Sequence, residues 1–130
     1  MPAGANFAEA LRKVPLVVSF GNQPDETSSK AHLVLPDQAP LESWGDYSPR
    51  EGVYGLMQPT MAAAPGFDGK AVGDLLLSVG RQVIPAPAGK GPFRWETFKD
   101  YLKEQWQTLA KRMAPGIPFD QFWEESLRRG

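Results

Sequence analysis

The stretch Leu16-Val17-Val18-Ser19-Phe20 and its echo His32-Leu33-Val34-Leu35, stopped by Pro36, decide the fold class. A continuous apolar run without polar alternation reads as a strand buried on both faces of a parallel sheet. A helix is predicted before the first run, over 6–14. Asn6 is placed to cap it, Glu9 stands at the capping-box position, and Phe7, Ala10, Leu11 and Val14 share one face. Pro15 ends it, because proline disfavours the helical region for the residue before it. Between the two runs, 26–31 has room for a short helix. Helix, strand, short helix, strand is the order of a parallel α/β layer.

Downstream, 36–52 reads as a long polar loop holding Pro36, Pro40, Pro49, Gly45 and Gly52 together with Trp44 and Tyr47. Loops of that length inside a domain are usually functional or disordered. An extended stretch is predicted over 53–58, a loop over 60–69 and a helix over 70–83. The apolar stripe of that helix is Val72, Leu75, Leu76, Val79 and Val83, with Gly73 and Gly80 weakening it by about 1 kcal/mol each relative to Ala. The Pro/Gly stretch 85–93 reads as a linker. A strong helix over 94–113 carries Trp95, Phe98, Leu102, Trp106, Leu109 and Met113 on one stripe. Ala114-Pro115-Gly116 breaks it. A last helix opens at Pro118, with Asp120 early and Arg128 and Arg129 late, as the helix dipole favours. Gly130 follows it directly.

The expected fold class is therefore α/β: a short, mostly parallel sheet flanked by helices, followed by a C-terminal helical pair. The expected organisation is an α/β layer over 1–84 with its long loop 36–52, a linker over 85–93, and a helical hairpin over 94–130.

Composition narrows the chemistry. The chain has 130 residues, with 14 Lys and Arg against 15 Asp and Glu. That balance argues against nucleic-acid binding, which draws on a basic surplus. There is no cysteine, so disulfides, thiolate metal sites and a thiol nucleophile are excluded. The lone histidine, His32, removes paired-His metal chemistry and reads as structural, since no orienting partner is legible. Gly and Pro number 13 each, a fifth of the chain against about 12% ordinarily, which means shaped loops on a modest core. The acidic loop residues Asp25, Glu26, Asp37, Glu42, Asp46 and Glu51 show no pairing geometry, and Ser28-Ser29 lacks a nucleophile elbow. Neither a dinucleotide fingerprint nor a phosphate loop is present. The N-terminus is not a signal peptide, and no apolar run reaches the roughly 20 residues of a membrane span.

Two segments carry a family resemblance. One is Asp25-Glu26-Thr27, then Ala31, then Leu35-Pro36. The other is Glu42-Ser43-Trp44-Gly45, then Glu51-Gly52, then Gln58-Pro59. In this order they resemble the molybdopterin oxidoreductase superfamily of the dimethyl sulfoxide reductase type. With the opening Phe7-Ala8-Glu9-Ala10-Leu11-Arg12-Lys13-Val14-Pro15 and the closing Phe122-Trp123…Leu127, the match is nearest to the large subunit of bacterial alternative complex III. The likeness runs from about Pro2 to Gly130.

The resemblance implies an internal piece of a much longer subunit, with Met1 an added start. It implies an α/β layer whose strand-end loops face a bis-pterin cofactor, placing Glu26, Thr27, Glu42, Gly45, Glu51 and Gly52 as cleft-lining candidates. No catalytic residue and no metal ligand is carried over. Cofactor-binding members often have Thr, Asn, Arg and Asp where this chain has Asp46, Pro49, Val53 and His32. Those departures match the alternative complex III branch, whose like portion lacks the cofactor. The implied role is structural, within a respiratory electron-transfer complex, with no cofactor held by this piece. Its partners would be the other domains of the parent subunit and other subunits of a membrane-associated redox complex. The piece itself would be soluble and the parent would sit on the periplasmic side. The alternative is a segment lining the cofactor cleft of an active molybdenum oxidoreductase, of the polysulfide or thiosulfate reductase kind, with molybdopterin guanine dinucleotide in the parent. A free-standing small α/β binding protein is the third reading.

Overall fold

The computed structural model describes residues 6–63, 65–66, 68–87 and 89–129. Met1, Pro2 and Gly130, which carry the expectations about the two ends, lie outside them. Helix α1 is Phe7–Arg12, followed by strand β1, Val18–Ser19, a 3₁₀ turn Ser28–Lys30 and strand β2, Leu33–Val34. A second 3₁₀ turn, Pro40–Glu42, leads into strands β3, Gly45–Arg50, and β4, Val53–Met57. Helices α2, Val72–Val83, α3, Phe98–Met113, and α4, Phe119–Arg129, complete the chain.

The α/β class stands. β1 and β2 pair in parallel, Val18 against Leu33 and Ser19 against Val34. The expectation that both are buried on two faces does not hold. The ladder is two residues long, and Leu16, Leu33 and Val34 stay exposed. A parallel pair is stable when covered on both faces by crossover elements. Here α1 buries no residue. Asn6 makes no side-chain cap bond either, and it adopts a left-handed conformation with φ 40°.

The loop expected over 36–52 is replaced by a hairpin. β3 and β4 pair antiparallel, from Gly45 opposite Met57 to Arg50 opposite Val53. Glu51-Gly52 makes the turn, and Gly52 supplies the positive φ of 79° that a side chain resists. Pro49, which read as a loop marker, sits in β3 where the register shifts between Tyr47 and Arg50, as proline in a sheet requires.

The core joins this hairpin to the C-terminal helices. Leu56 of β4, Leu102 and Trp106 of α3, and Trp123 of α4 form one buried cluster. Trp106 meets Trp123 edge-on at 6.1 Å between centroids, and Phe119 and Phe122 pack beside them. α3 starts at Phe98 and not at 94, because Thr97 caps it. Its hydroxyl accepts from the Asp100 N–H, and the Asp100 carboxylate accepts in return from the Thr97 N–H.

α2 turns a different face inward from the one its sequence suggests. Leu77 and Gly80 are buried, while Leu76, Val79 and Val83 are exposed. A Cβ at Gly73 would run into the Phe98 ring, and one at Gly80 would lie 2.6 Å from the Phe93 ring. The glycines thus let two aromatic rings approach the helix. Asp37 accepts from the Val72 N–H at its start, and Asp74 accepts from the Phe98 N–H, 2.6 Å, tying α2 to the beginning of α3.

Candidate functional site

A cavity of about 330 Å³ lies at the carboxyl ends of β1 and β2, where open parallel sheets place their ligands. Gly21, Asn22, Gln23, Ser28, Ser29 and Pro36 are among its lining residues. Its wall is shaped by one tight turn. The Asp25 carboxylate accepts from the N–H groups of Thr27, at 3.0 Å, and of Ser28. The buried Ser28 hydroxyl accepts from the Asp25 N–H, 2.8 Å, and donates to the Asp25 carbonyl, 3.1 Å. The Ser28 N–H above all, then the Ser28 hydroxyl, holds the Asp25 carboxyl below its ordinary value, with the Thr27 N–H and Lys30 adding to the effect.

The six candidates do not form one cluster. Glu26 and Thr27 lie in this turn with both residues exposed, and the Glu26 carbonyl accepts from Ser29 Oγ and Lys30 Nζ. Glu42 accepts from the Ala39 N–H, 3.0 Å, and so closes its own 3₁₀ turn. Gly45 opens β3, facing Met57, while Glu51 and Gly52 form the hairpin tip at the other end. Six strand residues separate those ends by roughly 17–20 Å.

The residues around Gly45 point to packing. Trp44 stacks on Trp123 of α4 with centroids 6.0 Å apart, and Lys99 sits 4.8 Å over its ring. Asp46 accepts from the Trp106 indole N–H, 3.1 Å. Sequence reasoning missed this role of Asp46. No local signal marked it, since the indole it accepts from lies 60 residues further along the chain. His32 likewise serves the backbone: its Nδ1 accepts from the Val17 N–H, 3.0 Å.

A pterin dinucleotide is a polar, phosphate-bearing group, and the strand-end cavity offers it little charge: among the described residues lining it there is no lysine or arginine, and the turn that shapes it directs the polar groups of Asp25, Thr27 and Ser28 at one another. Among the described residues no group of three or more His, Cys, Asp or Glu could hold a metal ion, and no helix is long and apolar enough to cross a membrane.

Over 128 residues the chain is 35% identical to the menaquinone reductase, molybdopterin-binding-like subunit, of Nitratidesulfovibrio vulgaris (strain Hildenborough). The chain is similar to a stretch of a molybdopterin-binding-like subunit. The match covers 95% of this chain and 16% of that protein, so the chain spans about a sixth of its relative's length. No family model matches the chain, and no solved structure matches it.

Proposed function

We propose that this chain is an internal segment of a molybdopterin-oxidoreductase-like subunit of a respiratory electron-transfer complex. In this reading it belongs to the branch represented by alternative complex III. Its role is packing and subunit interaction, without catalysis of its own, and the parent works on the periplasmic side beside membrane-bound partners. The observation that supports the segment reading is the match along 95% of the chain to a subunit named molybdopterin-binding-like; the branch and the periplasmic placement rest on the residue resemblance alone.

The local chemistry supports the structural part of the reading. Positions where cofactor-binding relatives would offer polar partners serve the fold here. Asp46 holds the Trp106 indole, His32 holds the Val17 N–H, and Pro49 and Val53 lie in the hairpin. A second reading has one observation in its favour. The cavity at the carboxyl ends of β1 and β2 is where a segment lining the cofactor cleft of an active molybdenum oxidoreductase would meet its ligand.

A titration of the chain with guanine nucleotide, followed by backbone amide shifts, separates the two. No saturable shift is expected around 21–29 or 42–52. Saturable micromolar binding centred on either stretch would overturn the structural reading in favour of the second.

A further inference from the structure

Three tryptophans far apart in sequence form one row. Trp44 stacks on Trp123 with centroids 6.0 Å apart, and Trp123 meets Trp106 at 6.1 Å. The row runs inward. Trp44 is half-buried, while Trp123 and Trp106 are only 6 and 4% exposed.

The charges along the row are sorted by sign. Lys99 sits 4.8 Å over the Trp44 ring, and Lys103 sits 5.8 Å over that of Trp123. A cation is attracted to the negative face of a neutral ring. Once the ring loses an electron that attraction turns to repulsion, so both rings are made harder to oxidise. Trp106 has the opposite neighbour. Its indole N–H donates to the Asp46 carboxylate at 3.1 Å, which stabilises positive charge on the ring and offers a base for its proton. Tyr54 packs against the same cluster, but its hydroxyl accepts from the Arg112 guanidinium at 2.8 Å, which opposes its oxidation. An electron vacancy entering at Trp44 therefore runs downhill to Trp106 and stays there. Close packing of rings needs no such ordering of charge.

We propose that Trp44, Trp123 and Trp106 are a one-electron relay, which takes oxidising equivalents at the surface and holds them at Trp106. Its external partner is a one-electron oxidant that reaches Trp44. The oxidant gains one electron from the Trp44 ring. Trp123 then refills Trp44, and Trp106 refills Trp123. The Trp106 N–H bond breaks, and its proton forms an O–H bond on Asp46. The net products are the reduced oxidant, a neutral indolyl radical at Trp106 and a protonated Asp46. This activity goes beyond the packing role proposed above and does not depend on the parent subunit.

Pulse radiolysis of the 130-residue chain tests it, with the azide radical as the oxidant, itself reduced to azide. Trp95, the fourth tryptophan, packs on Tyr101 and is silenced by Trp95→Phe in every sample. Transient absorption separates the neutral indolyl radical, its protonated cation and the tyrosyl radical. The expected product is a neutral indolyl radical that added ascorbate reduces slowly. Trp44→Phe, which keeps a ring in the stack, should slow its formation by roughly tenfold or more, a barrier change of about 1.4 kcal/mol. Asp46→Asn keeps an oxygen acceptor on the indole but removes the charge. It should prolong the radical cation and speed the reaction with ascorbate by a similar factor. An unchanged rate of formation in Trp44→Phe would overturn the relay. So would an unchanged radical in Asp46→Asn, or a tyrosyl radical as the product. Each of these results leaves the segment reading standing.

Discussion

The Trp106 indole N–H donates to the Asp46 carboxylate across 3.1 Å, joining positions 60 residues apart in the chain. This one bond pins the start of the β3–β4 hairpin to the middle of α3. It lies beside the ring contacts of Trp106 with Phe122 and Trp123. Trp106 is nearly fully buried, so its N–H has little access to a replacement acceptor. Asp46→Ala should therefore destabilise the chain by about 1–3 kcal/mol. Asp46→Asn, which keeps an oxygen acceptor, should cost less. Urea unfolding followed by tryptophan fluorescence measures both, and equal losses would show that the bond contributes nothing specific.

Leu102 is fully buried between the hairpin and the aromatic cluster. Leu102→Ala should cost about 2–5 kcal/mol, the usual range for a core leucine replaced by a cavity. A loss below 1 kcal/mol in the same unfolding assay would mean that this cluster is not the core.

Gly80→Ala is a test of sign. Helix propensity alone favours alanine by about 1 kcal/mol. The added Cβ would sit 2.6 Å from the Phe93 ring, and overpacking of that kind costs about 1–3 kcal/mol. A net loss of stability is expected. A gain on thermal unfolding would show that Phe93 does not pack on α2.

At the head of α3, Thr97→Ala removes the oxygen that accepts from the Asp100 N–H. The expected loss is about 1 kcal/mol. Thr97→Ser should restore most of it, which hydrogen exchange at the first turn of α3 would register.

The Asp25 turn predicts an acid transition. Its folded carboxyl lies below the ordinary value because the Ser28 N–H, the Ser28 hydroxyl and the Thr27 N–H favour the charged form. Its contribution is complete above the unfolded pKa of about 3.9 and is lost as pH falls through the lower folded value. Amide shifts of Thr27 and Ser28 followed against pH should therefore turn over below the ordinary carboxylate range. A midpoint at or above it, or an unchanged profile in Asp25→Asn, would contradict the turn.

Long elements with one periodicity were legible in the sequence. α3 and α4 announce themselves through Leu102, Trp106 and Trp123 at helical spacing, and the parallel pairing of Val18 with Leu33 follows from two apolar runs flanking a short helix. The hairpin was hidden because Pro49, Gly45 and Gly52 are loop residues by composition, although Glu51-Gly52 between two extended runs is a usable turn signal. The face of α2 was misjudged for a physical reason. Gly73 and Gly80 counted as weak points, whereas each marks the close approach of an aromatic ring supplied from outside the helix, by Phe98 and Phe93. Of the candidate site, the family resemblance put Glu26 and Thr27 at a strand end, and they lie there in the turn beside a cavity without being among the residues that line it. The sequence had no means of showing that the stretch from Glu42 to Asp46 would turn Trp44 and Asp46 toward the tryptophans of α3 and α4.

We propose above all that this segment serves a redox subunit as structure and does not hold a cofactor. Molybdenum and pterin content of the full gene product, purified with any subunits that accompany it, tests it most directly. The account predicts neither in stoichiometric amount. One molybdenum and its pterin per subunit would contradict it.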